Sequence, residues 1–295
     1  MKKGFLSLMT VATGAVALML VSQIPGIGQD APPKGGPGGG KGGPGGKGGF
    51  PGGGQKKAAP PAGPVRRLPD GKPDLQGRWN AQFGNALFSF STQGGKKGPI
   101  VDPPDGVLPY KPEAAAKAKD LAENKMYLEP EAHCYMSGVP HQNYVQFGFQ
   151  IVQNPTYMVM LWEFMHSYRI IPTDGRPHAV PKDAKLFNGD STGHWEGDVL
   201  VVDVTNQTGK TWYDLAGNFQ SDKVHVVERF IPVDENTINY EATIEDEDVY
   251  TRPIKIAGVF RRANWEELME FGCIEGNEDL SHYTKEQGGT KAKVR

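Results

Sequence analysis

A chain of 295 residues with 38% hydrophobic and 22% charged side chains can bury a sizeable core, and a formal net charge of −2 selects no partner. The charge is unevenly divided: residues 1–67 hold nine Lys or Arg and one acid, leaving 23 basic and 33 acidic residues for 68–295. A net −10 on the later part repels a phosphate backbone and speaks against nucleic-acid binding.

The chain opens on Met1-Lys2-Lys3 and the uncharged apolar run GFLSLMTVATGAVALMLV, Gly4 to Val21. A basic start followed by such a run predicts a signal peptide over residues 1–28, and hence a secreted or periplasmic protein. The alternative is a retained membrane anchor, because the run is nearly long enough to span a bilayer. Residues 29–67 are Gly, Pro and Lys with hardly an apolar side chain, which predicts a disordered linker. No strict Gly-X-Y period is present, so a collagen helix is not expected. The linker's lysines suit association with an acidic cell surface or membrane, or serve solubility alone.

Residues 68–295 are expected to form the folded domain. Turn chemistry at Pro69–Asp74 leads into a strand over Leu75–Asn80. Gly77-Arg78-Trp79 resembles the Gly-x-Trp of lipocalin-type barrels, in which the indole closes one end; Gly193-His194-Trp195 matches it equally. Residues 83–108 are rich in Gly, Ser and Pro and predict a loop. A helix is expected over Lys111–Lys125, with Pro112 in the first turn and a shallow stripe of Ala114, Ala115, Ala118 and Leu121.

Strands follow at Tyr144–Val152, Tyr157–Phe164 and Ser167–Ile171, from alternation or apolar runs of strand length. Gly189–Val204 predicts a hairpin turning at Glu196-Gly197-Asp198. Lys223–Pro232 and Thr237–Glu245 predict another, around 233–236, and Ile254–Arg262 and Met269–Ile274 complete the sheet. Without crossover helices between strands, a parallel α/β fold is disfavoured. The expectation is all-β: a single antiparallel barrel or sandwich of lipocalin-like kind, with one packing helix at 111–125.

Two cysteines, Cys134 and Cys273, stand in the folded part. In an exported chain an even pair predicts a disulfide, closing a loop whose entropy is worth up to about 4–5 kcal/mol. A metal-binding pair or two buried thiols are the alternatives.

Seven stretches occur in order: Cys134-Tyr-Met-Ser-Gly-Val-Pro140, Ile151-Val-Gln153, Asp174-Gly-Arg-Pro-His178, Gly189 to Asp198, Val226-Val-Glu-Arg-Phe230, Tyr240 to Asp246 and Cys273-Ile-Glu-Gly-Asn277. Together they resemble a large family of exported bacterial β-rich proteins with no established activity. The resemblance implies a secreted β protein and carries over no catalytic residue. His141 departs from it, standing where a basic residue is expected after Gly-x-Pro.

For acid–base chemistry the candidates are His194 with Glu196, and Glu228 with Glu241. A tight connection sets Glu228 opposite Glu241, a carboxylate pair; a one-residue shift sets Arg229 there, an ordinary ion pair. Arg169, Glu163, Asp190, Trp195, Trp212, Tyr213, His225 and Arg229 are the ligand-binding candidates, on one rim shared by loops 174–178, 190–196 and 212–214. His141, His178, His194 and His225 with Glu163 or Glu196 form an oxygen/nitrogen set. They lack metal-ligand spacing, so no metal is expected. No nucleophile elbow or phosphate loop is present, and no cofactor is expected. The oligomeric state is not legible. The leading expectation is a barrel binding a small polar or carbohydrate-like molecule. A hydrolase or lyase on the same barrel and a structural cell-surface protein are the alternatives.

Overall fold

The computed structural model describes residues 62–275, apart from 146, 265 and 266. The chain divides into two compact units, Met1–Gln55 and Lys56–Arg295, and every described residue belongs to the second. The expected signal peptide, most of the linker and the chain beyond 275 lie outside the described residues. No helix among the described residues is long and apolar enough to cross a membrane.

Among the described residues, ten strands and one α-helix, α1 (Pro112–Asn124), make the fold. The strands are β1 (Gly77–Gln82), β2 (Ile100–Asp102), β3 (Phe149–Gln153), β4 (Tyr157–Trp162), β5 (Tyr168–Pro172), β6 (Asp190–Glu196), β7 (Val199–Thr205), β8 (His225–Asp234), β9 (Thr237–Glu245) and β10 (Ile254–Arg262). They pair antiparallel in the order β5-β4-β3-β1-β10-β9-β8-β7-β6, with β2 added to β10. The two edges then meet: Gly175 N donates to Gly193 O at 2.9 Å and Asn188 Nδ2 to Tyr168 O at 3.3 Å. The result is a near-closed antiparallel barrel, and the sandwich alternative drops out.

Alternation along the strands explains the filling. In β4, Met158, Met160 and Trp162 are buried, while Tyr157, Val159 and Leu161 are only half so. Inside, Phe83, Phe230, Tyr240 and Phe260 pack with ring centroids 5.2–6.2 Å apart. Gly258 is needed here, since a Cβ would stand 2.4 Å from the Phe83 ring. Side chains fill the lumen, as small barrels require.

The two ends differ. One has the short turns after β3, β6 and β8, with Trp79 buried under the Arg262 guanidinium at 4.5 Å. The other carries the long connections 83–148 and 206–224, with α1 among them.

Several expectations are corrected. The strand expected from Tyr144 begins only at Phe149, because Phe147 and Gly148 take φ of 79° and 80° and break the extended run ahead of it. Met269–Ile274 joins no ladder and is held instead by its disulfide and by Met269 N on Glu163 Oε2 at 3.2 Å. The loop at 83–108 contains the short β2. Ordered structure also begins before residue 68, because Gly63 N donates to Glu235 Oε1 at 2.9 Å and Arg67 forks onto Asp198 at 2.8 and 2.6 Å. Cys134 and Cys273 are bonded, with Cα atoms 5.8 Å apart.

Candidate functional site

The β8–β9 register decides the first expectation. A bulge between Pro232 and Asp234 shifts the pairing by one residue, so Arg229 lies opposite Glu241 and Glu228 opposite Ala242. Glu228 therefore faces the interior and Glu241 the outside, where its carboxylate meets Lys255 Nζ at 2.6 Å. Of the two registers the sequence allowed, the one with Arg229 opposite Glu241 is present, and the carboxylate pair does not form. Glu228 is instead fully buried against the Arg169 Nη2 and accepts from Asn143 Nδ2 and Tyr240 OH, each at 2.8 Å.

The second acid–base candidate is a surface feature. His194 Nε2 stands 3.3 Å from Glu196 Oε1, and Arg229 Nη2 donates to Glu196 Oε2 at 2.9 Å. Arg229 holds the Glu196 carboxyl below its ordinary range, and the pair sits on the outer face with about half of each side chain exposed.

The expected single rim does not exist either. β6 runs from Asp190 at the long-loop end to Glu196 at the short-turn end, some 20 Å for seven strand residues. Trp212 and Tyr213 are buried within the long-loop end, where Trp212 O accepts from His141 Nδ1 at 2.7 Å. Neither ring is free to stack on a ligand. Trp195 packs partly against the core with Lys72 Nζ 5.7 Å over its ring.

Of the expected ligand-binding residues, Arg169 and Asp190 do share a cavity. It measures about 430 Å³ and lies at the seam between β5 and β6, walled by Tyr168, Phe187, Asn188 and Ser191 among others. Arg169 is bound through Nε to Ser191 Oγ at 2.8 Å, and its Nη1 is buried without a hydrogen bond. Asn188 Oδ1 is likewise buried and unbonded, while Tyr168 is 63% exposed. Neither His194 nor Trp212 lines this cavity.

A second cavity, of about 290 Å³, opens beside the disulfide at the long-loop end. Leu87, Val145, Phe147, Phe164, Leu215 and Phe271 form its apolar walls, and Glu131 is the one polar lining residue among the described residues. Burial pushes the Glu131 carboxyl up to about 7, and burial together with the neighbouring Glu131 charge pushes Glu129 up to about 7 as well. Ser137 Oγ donates to Glu131 Oε1 at 2.5 Å. Behind it, burial lowers His141 to about 4. Its Nδ1 donates to the Trp212 carbonyl, which leaves a bare, unbonded Nε2. The sequence hinted at this region through the Cys134–Pro140 motif. It could not mark Glu131, because the burial comes from residues far along the chain.

His225 belongs to a third arrangement, on the outer face of β7–β9. His178 Nε2 and His225 Nε2 meet the two oxygens of Asp203 at 2.8 and 2.7 Å, and His225 Nδ1 lies 3.3 Å from Glu245 Oε2. His178 Nδ1 is 3.2 Å from Asp190 Oδ2 but not aligned as a hydrogen bond. Both His225 nitrogens and His178 Nε2 are committed to carboxylates, and the Asp203 hydrogen bond raises His225 to about 9. This is a chain of ion pairs. Among the described residues no three His, Cys, Asp or Glu converge to hold a metal. No protein-family model, curated protein or solved structure matches this chain.

Proposed function

We propose that this protein is an exported small-molecule-binding barrel that takes a carbohydrate-like ligand in the seam cavity. One observation carries the reading: an aromatic ring and a carboxylate, Tyr168 and Asp190, share the walls of a ligand-sized cavity with the amide residue Asn188. A sugar offers apolar C–H faces to a ring and hydroxyls that both donate and accept, so it matches this mixture. The Cys134–Cys273 bond suits an oxidising compartment, in keeping with the basic and apolar N-terminal run.

Binding is favoured over glycoside hydrolysis because Asp190 is the one carboxylate among the described lining residues, whereas that hydrolysis ordinarily needs two. Asp190 Oδ2 moreover accepts from Ala179 N and Val180 N at 3.1 and 3.0 Å, which fixes it as a positioned acceptor. Calorimetric titration with a panel of mono- and disaccharides and sugar acids tests the proposal. At least one should bind, and Tyr168→Ala should weaken it roughly tenfold, the scale of one lost ring contact. Silence across the panel, or indifference to Tyr168→Ala, would remove it.

A further inference from the structure

We propose that the cavity beside the disulfide is a second binding site, for a small apolar ammonium ion, with its hydrocarbon part against Phe147, Phe164 and Phe271 and its charge on Glu131. The lining sets the chemistry: among the described residues, six apolar side chains and one carboxyl leave a ligand a single polar anchor. A carboxylate in such surroundings is costly unless a cation or donor meets it. Aromatic faces attract the same cation through their quadrupole, whereas they and the carboxylate both repel an anion. Glu131 is held for this task, because Ser137 Oγ fixes Oε1 and no hydrogen bond reaches Oε2 among the described residues.

A second observation points to the same place. Cys134, Phe147, Met165 and His166, all in or beside the walls, take φ of 59°, 79°, 59° and 47°. Non-glycine residues held in that region cost energy, and such strain gathers where a binding surface has to be shaped. Phe271 reaches the cavity on the segment that Cys273 ties to Cys134, and its ring lies 5.0 Å from Phe164 and 5.5 Å from Phe147. Phe147 is 47% exposed, which leaves the site open to solvent on that side. At about 290 Å³ the space falls at the lower limit of drug-sized sites, so the ligand is a compact amine.

The site is independent of the sugar reading, since the two cavities share no lining residue. The experiment is calorimetric titration of the full chain at about pH 8, where Glu131 is ionised, with benzylammonium, benzyl alcohol and benzoate. Benzylammonium should bind, roughly tenfold or more tighter than benzyl alcohol, and benzoate not at all. Glu131→Gln should cost benzylammonium roughly tenfold and leave benzyl alcohol unchanged, while Tyr168→Ala should alter neither. No binding of benzylammonium, equal binding of the alcohol, or indifference to Glu131→Gln would overturn the proposal. If Glu131→Gln loses its cooperative melt, Phe271→Ala decides: weakened benzylammonium supports the site, and unchanged affinity overturns it.

Discussion

Arg169 on β5 and Glu228 on β8 are joined inside the barrel across the one place where the sheet is not continuous, with 3% and 0% of their side chains exposed. The edges β5 and β6 form no ladder, so beyond the backbone bond from Gly175 N to Gly193 O the seam is closed largely by side chains. Small residues adjoin the pair: Ser191 Oγ on β6 accepts from Arg169 Nε at 2.8 Å, and Ala242 stands opposite Glu228.

Replacing Arg169 with Met should therefore do more harm than the loss of an exposed charge. It leaves the Glu228 carboxylate buried without its cation, which costs about 3–5 kcal/mol. Arg169→Met with Glu228→Leu should recover part of that loss, because no charge is then stranded. Urea denaturation of the two single variants and the double variant measures it; additive losses would show that the pair does not act as a unit.

Glu129 and Glu131 set one limb of the pH dependence. Both are raised from 4.5 to about 7, so the native state keeps protons that the unfolded state releases. Their contribution is fully present below about pH 4.5 and is lost as pH rises through 7. Glu131→Gln should melt like the parent near pH 4 and be more stable, by up to about 3 kcal/mol, near pH 8. Parallel melting curves at both pH values would contradict this.

His225 sets another limb. Its raised value of about 9 makes a contribution that is complete below about 6.5 and fades as pH rises through 9. Asp203→Asn removes the main cause, so the imidazole should titrate well below its parent value when followed by NMR. If His225 already titrates near 6.5 in the parent, the ion-pair chain is not intact in solution.

The Cys134–Cys273 bond closes a separation of 139 residues. Replacing both cysteines with Ser should lower stability by up to about 4–5 kcal/mol in the chain-entropy picture. Urea midpoints of parent and variant give the difference, and coincident midpoints would mean that the bond restrains nothing.

Strand alternation made much of the barrel legible: β9 and β10 lie where the pattern of Thr237–Glu245 and Ile254–Arg262 places them, and Pro112 marks the start of α1. The β8–β9 register was legible as one of two alternatives, and the structure takes the one that sets Arg229 opposite Glu241; the bulge after Pro232 that fixes it has no glycine or repeat to announce it. The hairpin expected over Gly189–Val204 is present as β6 and β7; what the sequence did not show is that Asp190 and Glu196 stand at opposite ends of β6. Arg169 and Asp190 were visible as charged residues at strand ends. Glu131 was not, because what buries it arrives from Leu215 and Phe271.

The placement of β1 has a mechanical consequence. The chain reaches the barrel at its short-turn end, where Gly63 is clamped to Glu235 and Arg67 to Asp198. Traction along the upstream chain loads those clamps first and can peel residues 63–76 from the turns. It then meets β1, which lies between β3 and β10 and cannot leave without shearing two ladders at once. Both cavities lie at the far end of the barrel, so they keep their shape until the force is high enough to extract a central strand.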